Sequence, residues 1–259
     1  MVPAVALAKR EVVRFLRQPH RVVGALATPI VFWLLIGGGM GRSFQAANLP
    51  GGDNYLQYFF PGTILMILLF TAIFSTISII EDRREGFLQS VLVAPVSRMA
   101  IVLGKVLGGT ALAFAQGLVL LALAPVAGIP LTLVGFGLAA VTMAVIAFAL
   151  AALGFCIAWR MSSTQGFHAI MNLFLMPMWF LSGALCPAEQ AWGGLRLVMR
   201  ANPLSYGLSA LREAMYWGHG ATASAGAWAG QLGVTAAFAV VLFAVASRIA
   251  GGRTAADLQ

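Results

Sequence analysis

Long apolar stretches dominate this chain, and their length decides what it can fold into. Runs over residues 22–41, 57–80, 100–125, 131–158, 168–186 and 228–249 are each close to the roughly 20 helical residues that cross a bilayer. They are continuous, without the alternation of a transmembrane barrel strand. A helix in hydrocarbon satisfies its backbone N–H and C=O groups internally. The pattern therefore predicts an all-α polytopic membrane protein with six transmembrane helices, forming a single domain over residues 1–259. Composition agrees, with 60% hydrophobic and 9% charged residues, against about a quarter charged in soluble domains.

Orientation follows from the basic residues. With the N-terminus inside, twelve of the sixteen Lys and Arg residues fall in cytoplasmic segments, and Arg42, Arg196, Arg200 and Arg212 fall outside. This positive-inside bias puts both termini in the cytosol. It also accounts for the net charge of +8 without a nucleic-acid partner. The first 20 residues lack a basic segment followed by an apolar core, so no signal peptide is expected. Cys156 and Cys186 fall at ends of successive antiparallel spans, on opposite membrane faces and too far apart to bridge. The uncharged Gly128-Ile129-Pro130 predicts a short external hairpin. Three glycine pairs spaced four apart, Gly37/Gly41, Gly104/Gly108 and Gly226/Gly230, are expected to be packing positions that let helices approach closely.

Four segments carry more specific information. Residues 4–21 form a basic amphipathic helix, with Arg10, Arg14, Arg17 and Arg21 on one face and Val5, Ala8, Val12, Phe15 and Leu16 on the other. Such a helix lies in the membrane interface, either as a lipid anchor alone or also touching a cytosolic partner. Residues 81–98 hold six charges in 18 positions. Glu81, Asp82, Arg83, Arg84 and Glu85 are expected in water after the second span exits. Leu88, Val91 and Leu92 then make an apolar edge on a short helix. That segment suits either a solvated connector or insertion into a groove on another protein.

The other two segments are external. In Asn202-Pro203-Leu204-Ser205-Tyr206, Asn is a good N-cap and Pro fits the first helical turn. Upstream, Trp192, Leu195, Val198 and Met199 recur at helical spacing. Residues 187–217 therefore read as two short helices, re-entrant into the outer leaflet or flat on its surface.

Glu85-Gly86-Phe87-Leu88-Gln89-Ser90-Val91-Leu92-Val93-Ala94-Pro95-Val96-Ser97-Arg98, and Asn202-Pro203-Leu204-Ser205-Tyr206 followed by Arg212, resemble matching segments of the type-2 ABC transporter permeases. The likeness is to the branch of bacterial drug, lipo-oligosaccharide and polysaccharide exporters, and it covers essentially the whole chain. It implies a cytoplasmic coupling helix after the second span, with Glu81, Asp82, Arg83, Arg84, Glu85, Leu88 and Gln89 as coupling residues. It implies that Arg10, Arg14 and Arg17 lie on an interface helix, and that Asn202, Pro203, Tyr206 and Arg212 lie on an external gate helix. It further implies a pair of permease copies, two copies of a separate ATPase carrying ATP and Mg²⁺, and a bacterial plasma-membrane location. No cofactor or metal is expected on this chain. A P-loop requires Gly-x₄-Gly-Lys-Ser/Thr, and the one Gly-Lys here, Gly104-Lys105, is followed by Val106.

The expected function is ATP-driven export of a hydrophobic or amphipathic substrate such as a drug, lipid or glycolipid. Thr28, Trp33, Phe74, Gln116, Asn172 and Trp179 are candidates for its path, because polar groups inside spans are often functional. Thr, Asn and Gln there serve equally as interhelix contacts. Two other classes compete. A secondary transporter or channel would ordinarily bury carboxylates within spans, yet all eight acidic residues read as loop or terminal. An intramembrane enzyme needs paired catalytic groups at one depth, and His20, His168 and His219 are scattered.

Overall fold

The computed structural model describes residues 2–40, 55–93, 96–187, 191–219 and 224–252. Helix α1 spans Val2–Leu16 and α2 Pro19–Met40. The break between them follows from Pro19, which disfavours helical backbone at the preceding residue, so the interface helix ends five residues before the predicted 21. Then come α3 (Tyr55–Ser75), α4 (Ile77–Arg84), α5 (Phe87–Val93), α6 (Arg98–Ala122) and α7 (Leu133–Ala158). Helix α8 (Thr164–Trp179) runs into a π-helical turn at Phe180–Ala184, and α9 (Gly193–Ala201), α10 (Pro203–Met215) and α11 (Ala225–Gly251) complete the chain.

Among the described residues, five helical runs are long and apolar enough to cross a membrane: Tyr55–Arg84, Arg98–Ala122, Leu133–Ala158, Thr164–Ala184 and Ala225–Gly251. The first predicted span maps onto α2, whose apolar part, Val23–Gly39, is shorter. Helix α3 is the centre of the bundle, packed against α2, α6 and α7, and Tyr58, Phe59, Phe60, Leu65 and Leu68 are wholly buried. Helix α11 packs on α7 and α10 and leaves most of its surface outward.

Local sequence explains the punctuation. Ser75 and Thr76 bond back to the carbonyls of Ala72 (2.7 Å) and Ile73 (2.6 Å), a pattern that bends helices, and α3 and α4 meet there. Ser97, Thr132, Ser163 and Ser224 each cap the helix that follows through a side-chain oxygen. The predicted hairpin turns at Gly128, whose φ of +79° suits glycine. Cys156 and Cys186 are both free.

The glycine pairs divide. On α6, a Cβ at Gly104 would lie 2.8 Å from Leu7 Cβ, and one at Gly108 would lie 2.8 Å from Glu11 Cβ. These two glycines form the groove that seats α1. Gly37 approaches Leu56, and Gly41 lies outside the described residues. The expectation fails within this chain at Gly226 and Gly230, which meet nothing within 4 Å among the described residues, because they lie on a face of α11 turned away from α7 and α10.

Candidate coupling site, external cap and membrane cavity

Helix α1 lies on α6 through Ala4, Leu7 and Glu11, all buried. Val5 and Leu16 stay exposed, as a lipid-facing edge would. Arg10 and Arg14 then turn toward α4. Arg10 places both terminal nitrogens 2.9 Å from the two oxygens of Asp82, and Arg14 Nη1 reaches Asp82 Oδ1 at 3.1 Å. Lys105 of α6 donates to the other Asp82 oxygen, to Glu11 at 2.7 Å and to Ser78 at 3.2 Å. Asp82 has 0% exposure and Lys105 4%.

Sequence reasoning put all of Glu81–Glu85 in water, and the structure corrects this for Asp82, which is buried, while Glu81 and Arg83 are half-buried and Arg84 and Glu85 are exposed. The helix continues past the predicted end of the span at 80, so Asp82 stays inside the bundle, where three cations compensate its charge. Isolated buried carboxylates are prohibitively costly, but paired and hydrogen-bonded ones persist. Hydrogen bonding to Asp82 in turn raises the Arg10 pKa above its ordinary value. The guanidinium of Arg10 also sits 3.7 Å from the centroid of the Phe87 ring.

The neighbouring charges reach other helix ends on the same side of the bundle. Arg83 donates to the carbonyls of Trp159 (2.7 Å) and Met161 (3.2 Å), and Arg84 Nε donates to Ser162 O (3.0 Å). Both arginines thus hold the turn between α7 and α8. Glu81 and Glu85 meet Arg14 at 3.0 and 3.4 Å. Leu88 is buried at 3% exposure, so it packs within this chain. Arg84, Glu85, Gln89 and Arg17 remain exposed.

Sequence reasoning missed Glu11, Ser78 and Lys105 as members of this network. The available signal was a lysine inside a predicted span, which demands a partner, together with an acid on the Ala4–Leu7–Glu11 face of the opposing helix.

The Asn202–Arg212 motif has a comparable use within the chain. Gly183, with φ of +87°, sits inside the π-turn that ends α8, and carbonyls around it accept from other elements. Asn202 Nδ2 donates to Met178 O (2.7 Å), and Arg212 Nη2 and Tyr58 OH both donate to Gly183 O (2.8 Å each), whereas the one Ser205 hydroxyl hydrogen goes to Met199 O (2.6 Å) with Leu181 O farther off (3.3 Å). Trp179 Nε1 donates to Gly62 O at 2.9 Å, and a Cβ at Gly62 would lie 2.8 Å from Ala184 Cβ. The Arg212 guanidinium lies 4.1 Å from the Tyr58 ring centroid. Asn202 Oδ1 caps α10 at Leu204 N (3.1 Å), Pro203 is the first helical residue, and Tyr206 OH donates to Arg200 O (3.0 Å). Carbonyls freed by such a distortion need donors; α9 and α10 form a cap whose Asn202 and Arg212 supply them together with Tyr58 of α3. Tyr58 is the member that sequence reasoning did not single out.

A cavity of about 410 Å³ lies between α1, α2, α3–α4, α6 and α8. Phe32, Met66, Phe70, Phe74 and Met176 line its apolar wall, and Glu11, Arg14, Ser78 and Glu81 line its charged end. Of the six path candidates, Thr28 and Phe74 face it. The others lie elsewhere. Trp33 Nε1 donates to Leu56 O (2.9 Å), Gln116 accepts from Thr71 Oγ1, and Trp179 holds Gly62 as above. Asn172 is exposed on α8. Among the described residues, no group of three or more His, Cys, Asp or Glu side chains could hold a metal ion.

Comparison with known proteins follows this geometry. A family model described as ABC-2 type transporter matches residues 4–216, from the interface helix to the end of the external cap. The putative transport permease ycf38 of Cyanophora paradoxa is 26% identical over 214 residues, covering 80% of this chain and 71% of the relative. The daunorubicin resistance ABC transporter permease protein DrrB1 of Streptomyces coeruleorubidus is 24% identical over 221 residues, covering 80% and 72%. Nodulation protein J of Rhizobium meliloti (strain 1021) is 28% identical over 211 residues, covering 75% and 73%.

Proposed function

This chain belongs to the ABC-2 type transporter family, and from that premise we propose that it is the membrane half of an ATP-driven exporter for a hydrophobic or amphipathic substrate. Two copies of the chain pair in a bacterial plasma membrane with both termini in the cytosol, and two copies of a separate ATPase bind ATP and Mg²⁺ beneath them. The observation that carries the reading is the ion network centred on Asp82. It joins the interface helix α1, the coupling element α4 and the span α6, while Arg83 and Arg84 add the α7–α8 turn. A push on α4 or α5 from below therefore reaches several spans through short, buried contacts. Arg84, Glu85 and Gln89 are exposed and form the docking surface for the ATPase.

The cavity supports the substrate class. Its aromatic and methionine wall solvates an apolar body, and its charged end meets a polar head. The daunorubicin resistance name of one relative fits a cargo of that amphipathic kind.

The test is co-purification with the ATPase, reconstitution into proteoliposomes, and measurement of ATP-dependent movement of a fluorescent amphiphile. Transport that requires both the ATPase and ATP is expected. Transport by this chain alone, driven by an ion gradient, would replace the exporter reading with that of a secondary transporter.

A further inference from the structure

At the end of the bundle that carries the cap, α10 lies against both α7 and α11. Near its C-terminus stands Glu213, an acid with no part in the coupling network. Gln231 of α11 donates from Nε2 to Glu213 Oε1 at 3.0 Å. That single bond leaves two buried oxygens without a donor, Glu213 Oε2 and Gln231 Oε1. Buried polar atoms are nearly always paired, and of the nine side-chain exceptions among the described residues these two alone belong to one already bonded pair. An ionised carboxylate cannot repair this, because its oxygens and the amide oxygen only accept. One proton on Oε2 repairs both, since the resulting hydroxyl can donate to Gln231 Oε1 and close a two-bond ring of acid and amide.

The surroundings offer the ionised form little help. Helix α7 carries no Asp, Glu, Lys, Arg or His, and its thiol, Cys156, sits near its far end. On α11 the one charged residue, Arg248, is likewise at the far end. The π-turn contributes nothing ionisable. Helix α3 brings Tyr55 and Tyr58, α9 brings Arg196 and Arg200, and α10 itself carries Tyr206 and Arg212, with Tyr216 and His219 just beyond. Arg212 donates from Nη2 to Gly183 O and lies over the Tyr58 ring, and its buried Nε makes no hydrogen bond to Glu213. None of these groups contributes to the shift of Glu213: burial raises its pKa, and the Gln231 hydrogen bond alone opposes the rise.

We propose that Glu213 is a proton-binding site whose neutral acid pairs with Gln231 through two hydrogen bonds, fastening the external cap to the last span, and that loss of the proton to external water unfastens it. The proposal rests on the cap geometry and is independent of the exporter reading. Its linkage has a definite sign. The folded-state pKa lies above the ordinary value of 4.5, so the pair's contribution to stability is complete below that ordinary value. It is lost as pH rises through the folded value.

Glu213→Gln is the informative variant, because its amide N–H replaces the acid O–H and keeps both bonds at every pH. Thermal unfolding of the purified full chain in detergent, followed across a pH series, should show wild-type stability falling as pH rises and a flatter profile for the variant. Seven other acids titrate as well, so the acid-minus-alkaline infrared difference spectrum of E213Q is subtracted from that of wild type, and the remainder should be one protonated-carboxyl C=O band that disappears only above the ordinary carboxyl range. Identical pH profiles, or a residual band that disappears within the ordinary carboxyl range, overturn the proposal. So does a wild-type stability that follows sodium concentration instead of pH, since the two oxygens would then hold a cation. If E213Q fails to fold, Gln231→Leu keeps the acid but removes its partner, and the C=O band should shift. An unmoved band refutes the pairing.

Discussion

Replacing Asp82 by Asn removes one charge and little volume, so its effect isolates the electrostatics of the ion cluster around Asp82. In the native chain the carboxylate accepts from Arg10 twice, from Arg14 and from Lys105, at 0% exposure. Hydrogen bonds to charged groups contribute about 1.5–3 kcal/mol each. A simple sum overcounts, because Arg14 keeps Glu81 and Lys105 keeps Glu11. The better guide is the cost of breaking a buried ion pair from one side, about 3–5 kcal/mol. For a chain of this size that corresponds to a fall in Tm on the order of 10 °C. Glu85 is the internal control. It also pairs with Arg14, but at 3.4 Å with 58% exposure, and exposed pairs contribute about 0–1 kcal/mol. Thermal unfolding in detergent, read by tryptophan fluorescence, should therefore show a large loss for D82N and a small one for E85Q. In a double-mutant cycle, D82N with Lys105→Met should lose less than the sum of the single variants, by about 0.5–3 kcal/mol, since neither charge is then left buried alone. A D82N variant no less stable than E85Q, or a strictly additive cycle, would refute the cluster.

Three further outcomes are expected. Gly108→Val should destabilise the chain by about 1–3 kcal/mol through overpacking against Glu11, while Gly226→Ala, with open space around it, should leave Tm unchanged. Arg212→Ala should cost about 2–4 kcal/mol by removing a charged hydrogen bond to Gly183 O and the Tyr58 contact, and hydrogen exchange should rise selectively around the π-turn. Thr28→Trp, which fills the cavity, should weaken amphiphile-stimulated ATPase activity of the reconstituted complex more than basal activity, whereas Asn172→Ala, away from the cavity, should do neither.

The charged stretch after the second span shows where sequence reasoning stops. Its charges were visible, but their destinations were not, because each partner lies far along the chain. Asp82 meets Arg10 across 72 positions and Lys105 across 23, and no periodicity encodes such a pairing. The prediction that these charges stand in water assumed that the helix ended with its apolar run. Helix α4 carries on instead to Arg84. The Asn202–Arg212 motif was legible as a capped helix, since Asn202 and Pro203 act locally, but not as a source of the donors that complete the end of α8. Among the substrate-path candidates, Thr28 and Phe74 face the cavity, whereas Trp33, Gln116 and Trp179 are engaged with neighbouring helices. Residue type alone does not distinguish a group that lines a cavity from one that bridges two helices.

The sequence by itself determined the properties set by local chemistry. These are all-helical crossings from apolar run length, helix starts from Ser, Thr and Asn caps, a turn at Gly128, and an amphipathic first helix. Hydrocarbon imposes these choices segment by segment, because each backbone must satisfy itself. Only the tertiary structure decided which charges are spent inside the chain and which remain at its surface. Whether a carboxylate can be buried depends on cations brought to it from other helices, and only the packed bundle brings Arg10, Arg14 and Lys105 to Asp82.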